Sequence, residues 1–248
     1  MRVAAVGDLH YTRASKGLLR KAFADLDRRA DVLLLCGDLT DYGLPDEAQL
    51  LADDLRAIDI PVVAVLGNHD LESGRAEEVR HILQDARVEI LDGDACEVQG
   101  VGFAGVKGFG GGFGRHSLEP WGEEVLKSFV HGAVDEALKL DRALSRLHTA
   151  ARVVLMHYAP VRDTVAGEAV EIYPFLGSSR LEEPLNRHGV RAVFHGHAHH
   201  GTTEGRTTAG IPVYNVAMPL LRRTFPDHPP FRVVEIDAGG DGENDTGG

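Results

Sequence analysis

Val32-Leu33-Leu34-Leu35-Cys36-Gly37-Asp38-Leu39-Thr40-Asp41 is the stretch from which the rest of the chain can be read. Five consecutive apolar residues, without alternation, describe a strand buried on both faces, as in the parallel sheet of an α/β protein. The run breaks at a glycine into a segment carrying two carboxylates. Pro45-Asp46-Glu47 then opens a helix whose apolar stripe is Leu50, Leu51, Leu55 and Ile58. Outward from this unit, Val3–Val6, Val62–Leu66, Val153–Met156 and Ala192–Phe194 are apolar runs of the same kind. Amphipathic segments lie between them. Leu18, Leu19, Ala22, Phe23 and Leu26 share one helical face with Ser15 as its cap, and Val79, Ile82, Leu83 and Ala86 share another. A further helix is predicted over Val134 to Leu147, with Val134, Ala137, Leu138, Leu140, Leu144 and Leu147 turned inward.

After residue 87 the texture changes. Val88–Leu91, Cys96–Val98 and Val101–Val106 read as short strands joined by turns, and so do Gly201–Thr208, Ile211–Val216 and Phe231–Ile236. Crossover units flanking hairpins fit a four-layer α/β/β/α sandwich of two mixed sheets flanked by helices better than one doubly wound sheet. Residues 1–237 are expected to form one domain, and 238–248, rich in glycine and acids, a disordered tail.

Composition removes whole classes of function. A chain of 248 residues with 43% hydrophobic residues has ample material for a core and is not disordered. Its net charge of −12 argues against nucleic acid as a partner. Two cysteines make no disulfide framework and fit a reducing compartment. No apolar run is long enough to span a membrane, and the apolar stretch after Met1 is too short for a signal peptide; a cytoplasmic protein is expected.

Histidine is the outlier, with 13 residues. Each of the five buried runs ends in polar residues able to bind metal. They are Asp8-Leu9-His10, Gly37-Asp38-Leu39-Thr40-Asp41, Gly67-Asn68-His69-Asp70, His157, and Gly196-His197-Ala198-His199. Ligands of α/β sheets bind beyond the carboxyl ends of strands, so the five loops can converge on one point. In Asp8-x-His10 and His197-x-His199 the spacing sets two side chains on one side of an extended segment. The glycines at 37, 67 and 196 are read as sharp turns on leaving each strand. Two carboxylates, one amide oxygen and four imidazoles are more donors than one ion uses and about enough for two. The mixed oxygen and nitrogen set, without thiolate, admits manganese first and also iron, zinc, nickel or cobalt. His195 and His200 read as hydrogen-bonded structural side chains.

The ordered series Asp-x-His, Gly-Asp-x-x-Asp, Gly-Asn-His-Asp, strand-end His and Gly-His-x-His resembles the calcineurin-like metallophosphoesterase superfamily over residues 3 to about 217. The resemblance implies the four-layer sandwich and a dinuclear centre. Asp8, His10, Asp38 and His199 would hold one ion; Asp38, bridging, with Asn68, His157 and His197 would hold the other. It further implies in-line attack by a metal-bridging hydroxide, with His69 as general acid and Asp41 as the carboxylate that orients it in a His–Asp dyad.

The protein Ser/Thr phosphatase branch carries arginines where this chain has Tyr42 and Leu66. The run Gly37–Gly43 followed by a helix is similar instead to the small bacterial phosphodiesterase branch, although Tyr158 stands where that branch often has a second histidine. A small phosphodiester is therefore the expected substrate; a phosphomonoesterase acting on a nucleotide or metabolite is the alternative, and a non-catalytic scaffold comes third. Gly108-Phe109-Gly110-Gly111-Gly112-Phe113-Gly114-Arg115 lacks the spacing of a phosphate-binding P-loop. It is read as a mobile lid in which Phe109 and Phe113 cover the substrate while Arg115 or Lys107 reaches a phosphate.

Overall fold

The computed structural model describes residues 1–237, so the tail expected over 238–248 lies outside the described residues. Among the described residues there are eleven strands: β1 (Arg2–Val6), β2 (Val32–Cys36), β3 (Val62–Val65), β4 (Val88–Ile90), β5 (Asp94–Val98), β6 (Val101–Val106), β7 (Ala151–Met156), β8 (Ala192–His195), β9 (Glu204–Arg206), β10 (Pro212–Asn215) and β11 (Arg232–Glu235). The helices are α1 (Leu18–Ala22), α2 (Leu26–Arg29), α3 (Pro45–Leu55), α4 (Ala76–Asp85), α5 (Glu124–Ser145), α6 (Tyr173–Leu176), α7 (Glu182–Arg187) and α8 (Met218–Thr224). One sheet has the order β11-β1-β2-β3-β4, the other β5-β6-β7-β8-β10-β9. Strands β1 to β4 run parallel, as do β6, β7, β8 and β10; only the outer strands β11, β5 and β9 are antiparallel.

Period-two alternation sorts the apolar runs into layers. Ala4, Val6, Leu33, Leu35 and Ala64 face Leu51, Leu55, Val79 and Leu83 of α3 and α4. Their neighbours Val3, Ala5, Leu34, Cys36 and Val63 face the other sheet, meeting Phe103, Val153, Leu155 and Phe194. The far side of that sheet, through Ala104, Val106, Val154 and Met156, packs on Leu140 and Leu144 of α5 and Leu185 of α7. Strands covered on both faces have no polar side, which is why the runs are continuous. The expected α/β/β/α sandwich is the observed architecture.

Three local expectations need correction. The helix capped by Ser15 is broken: α1 follows Gly17, α2 is separate, and Ser15 lies in a single 3-10 turn capped by Thr12. The helix expected from Val134 begins ten residues earlier, at Glu124. Its buried face is Val130, Ala133, Glu136, Leu140, Ala143 and Leu144, whereas Leu138 is 50% exposed. Glu136 is buried instead: its carboxylate accepts the backbone N–H of Gly108 (2.8 Å) and a proton of Lys139 Nζ (2.9 Å), so burial leaves no unpaired charge.

Candidate metal centre

Because both parallel sets point the same way, the loops after β1, β2, β3, β7 and β8 meet at one end of the sandwich. Backbone bonds stitch the first two loops together, Asp8 N–H to Gly37 O (2.9 Å) and His10 N–H to Asp38 O (3.0 Å). Asp8, Asp38 and His157 form a buried floor, with His10, Asn68, His69, His197 and His199 half-buried around it. Donor atoms of Asp8, His10 and His199 gather within 4.8 Å of one another, and so do those of Asp38, His157 and His197. A third such group, His10, Asp38 and His69, joins the two. Asn68 Oδ1 lies 2.9 Å from His157 Nε2. All seven expected ligands and His69 are thus brought together.

The backbone is strained at this place. Six residues other than glycine among those described have positive φ, and four are Asp8 (55°), His10 (42°), Asp38 (47°) and His197 (69°). Each such conformation costs about 1–3 kcal/mol, and their concentration on the donors marks a functional site. Two motif glycines do something other than turn the chain. A Cβ on Gly67 would stand 2.1 Å from Asp38 Oδ1, and one on Gly196 2.2 Å from Asp8 Oδ2. Glycine is needed there because a carboxylate occupies the space of a side chain.

Second-layer bonds fix which nitrogen of each imidazole is free. His157 Nδ1–H donates to Cys36 O (3.0 Å), leaving Nε2 among Asn68 Oδ1 and Asp38 Oδ1 at 3.3 Å. Those neighbours are all acceptors, so both ring nitrogens carry protons here. Burial pulls the His157 pKa down, but Asp38 and then Asp8 overcome it and raise it to about 9. The Nε2 proton stands where a cation would. Burial would likewise raise Asp38, yet the His157 charge and the His69 N–H hold it well below the usual carboxylate range. His197 Nε2–H donates to Phe175 O (3.1 Å), and burial beside His157 lowers that ring to about 4. His10 Nδ1 faces Asp41 Oδ1 (3.1 Å), while its buried Nε2 has no hydrogen-bond partner among the described residues and lies 3.8 Å from Asp38 Oδ2. An orphaned buried nitrogen and a proton hemmed in by acceptors fit a site shaped for divalent ions.

The expected Asp41–His69 dyad is not formed through side chains. The Asp41 carboxylate takes His10, and His69 Nδ1–H donates instead to the Asp41 backbone carbonyl (2.7 Å). The lid is corrected as well. Gly110 to Phe113 are buried, held by Gly111 N–H to Pro174 O (2.6 Å) and Gly112 N–H to Gly177 O (2.8 Å). Phe113, 7% exposed, belongs to a core with Ala159, Val165, Leu176 and Ala198. Phe109 packs on Phe129 and Tyr158, and Arg115 is exposed against His116, in a pocket lined by none of the candidate metal ligands. Lys107 is the one of the four set against the centre, its carbonyl accepting the N–H of His157 (3.0 Å). His195 is a buried structural residue bonded to Thr164 Oγ1 (2.7 Å) and lowered to about 4 by burial.

Asp70 is the contributor that motif reading left without a role. Its fully buried carboxylate accepts from Leu39 N (3.1 Å), Thr40 N (2.8 Å), Thr40 Oγ1 (2.6 Å) and Gly67 N (2.8 Å). It braces the loop of Asp38 against the loop of Asn68 and His69. Its place beside His69 is a signal in sequence; its partners Leu39 and Thr40, some thirty residues away, are not.

Comparison with known proteins agrees with this geometry. A family model described as calcineurin-like phosphoesterase matches residues 1–201. A protein of Synechococcus sp. named as a probable cyclic nucleotide phosphodiesterase is 26% identical over 83% of this chain and 76% of its own length. One of Arcobacter nitrofigilis, named as a probable glycerophosphodiester phosphodiesterase, is 23% identical over 80% and 69%. Among solved structures, a phosphopantetheinyl hydrolase of Mycobacterium tuberculosis superposes with a TM-score of 0.68 at 15% identity, over 95% of this chain and 96% of that one.

Proposed function

The chain belongs to the calcineurin-like phosphoesterase family and is a phosphoric ester hydrolase, and from that premise we propose that it cleaves phosphodiesters at a centre for two divalent ions. Asp8, His10, Asp38 and His199 would hold one ion, and Asp38, Asn68, His157 and His197 the other, manganese being the first expectation for this donor set. When bound, such a pair supplies Lewis acidity to the phosphoryl oxygens and acidifies a water.

The residues supply the rest. His69 keeps Nδ1–H on the Asp41 carbonyl, so Nε2 is the nitrogen free to give a proton to the leaving alkoxide. After that transfer the neutral ring retains its bond to the carbonyl. Asp70 sets the distance between the Asp38 and His69 loops, and the N–H of His69 donates to Asp38 Oδ1 (2.9 Å). A diester carries one negative charge, so it asks for less cationic help than a monoester. Leu66 is buried and Tyr42 is 54% exposed at positions where a guanidinium would grip a second charge. The relatives of Synechococcus sp. and Arcobacter nitrofigilis also carry phosphodiesterase names.

The observation that carries the reading is the convergence of seven donors on buried Asp38 and Asp8, with imidazole tautomers set by carbonyls. The test is hydrolysis of bis(p-nitrophenyl) phosphate against p-nitrophenyl phosphate by protein stripped of metal and reloaded with manganese. The diester is expected to be the better substrate, with Asp38→Ala abolishing turnover; preference for the monoester would overturn the assignment.

A further inference from the structure

Beside the centre, between α4 and α5, the chain forms a partly open pocket of about 170 Å³. Leu66 and Leu71, which bracket the loop of Asn68 and His69, line one side, and Lys107 lines the other. Neither His69 nor a candidate metal ligand lines it, but it adjoins the loop that carries them, through Leu66 and Leu71.

Its lining carries three carboxylates and three cations, and the ion pairs among them, Glu77 to Arg80 (3.8 Å) included, leave Lys107 out. Asp92 serves both Lys139 (3.1 Å) and Arg80 (3.5 Å). Glu136 is occupied by Lys139 (2.9 Å) and by the N–H of Gly108 (2.8 Å). Lys107 has no carboxylate within 4.0 Å among the described residues; its ammonium donates to Gly108 O (2.8 Å) and lies over the rings of Phe109 (4.9 Å) and Tyr158 (5.0 Å). An ammonium has three donors, so two remain. Rings and one carbonyl hold such a charge in place without neutralising it. Tyr158 in turn packs on His197, ring centroids 4.4 Å apart, which ties the position of Lys107 to the metal donors.

We propose that this pocket is a subsite for an anionic leaving alcohol, with Lys107 binding a carboxylate or phosphate that the alcohol carries in addition to the scissile diester. The inference rests on the phosphodiesterase reading above. Its size, small beside the roughly 300–1,000 Å³ of pockets that enclose drug-sized ligands, restricts the occupant to a short arm. The apolar walls of Leu66, Leu71 and Leu91 suit the carbons of that arm, and Lys107 its charged end.

Anion binding is measured in metal-free protein, where no ion competes for the phosphate. Glycerol 3-phosphate, at matched ionic strength, is expected to raise the wild-type Tm by about 3 °C or more at saturation, and glycerol to leave it unchanged. Lys107→Met should lose the rise and Lys107→Arg keep it; Lys107→Gln replaces the Met variant if that lowers the ligand-free Tm. No rise in wild type, or an equal rise in Lys107→Met, overturns the subsite. Cleavage of bis(p-nitrophenyl) phosphate by the metal-loaded wild type is read separately. If that cleavage fails while the Lys107-dependent rise persists, the function is refuted and the anion site stands.

Discussion

Asp41 Oδ1 lies 3.1 Å from His10 Nδ1, and this pairing turns the opposite nitrogen of His10 toward Asp38. The same residue holds His69 through its backbone carbonyl. One position in the loop after β2 thus orients two imidazoles by two different groups, only one of which can be removed by mutation.

Asp41→Ala should therefore act on metal binding. Deleting the carboxylate frees the His10 ring while the carbonyl on His69 remains. Affinity for manganese is expected to fall by about 10–100-fold, the usual effect of losing a partner of a metal-binding histidine. Excess manganese should restore most of kcat in a titration followed by turnover. Unchanged affinity with a depressed kcat would place Asp41 on His69 instead.

His69→Gln separates proton donation from binding through the choice of leaving group. A p-nitrophenolate departs without a proton, whereas an alkoxide needs one. Turnover of an alkyl diester should drop by roughly 10²–10⁴-fold, and that of bis(p-nitrophenyl) phosphate by far less. Equal losses on both substrates would remove His69 from the role of acid.

Metal uptake should release a proton from His157. In the metal-free protein that ring is cationic up to about pH 9 because Asp38 outweighs its burial. Adding manganese near pH 7.5 in weak buffer is expected to liberate about one proton from this site, and the release should fade above roughly pH 10. Stability follows the same sign. The folded pKa lies above the ordinary 6.5, so this contribution to metal-free stability is complete below pH 6.5 and is lost as pH climbs through about 9. Chemical denaturation of metal-free protein across that window checks it.

Phe113→Ala should destabilise the fold rather than weaken substrate binding. The ring is packed among Ala159, Val165 and Leu176, so its removal leaves a cavity costing about 3 kcal/mol. Urea denaturation should show the loss with KM nearly unchanged; a raised KM at full stability would bring the lid back.

Asp70→Ala strands the N–H groups of Leu39, Thr40 and Gly67 at a buried site. Roughly 3 kcal/mol or more of stability should go with them. Metal affinity should fall too, since the loops of Asp38 and Asn68 lose their brace; an intact affinity in the folded variant would confine Asp70 to stability.

The sequence by itself determined the layers and which polar residues stand at their ends. Continuous apolar runs such as Val32–Cys36 have no alternation to lose, so they belong between two covers, and polar residues at their ends must gather where parallel strands finish. Which group serves which was decided only by the tertiary structure. Asp41 and His69 are 28 residues apart and Asp41 and His10 are 31 apart, so no local pattern distinguishes a carboxylate contact from a carbonyl contact. The glycine-rich run from Gly108 looked mobile for a similar reason. Its partners, Pro174 and Gly177, come from a segment more than 60 residues later, and long-range packing turned a flexible composition into a buried connection. Lys107 shows the same limit: that Asp92 and Glu136 make their close ion pairs with Lys139 rather than with it follows from where α5 packs, not from any local pattern.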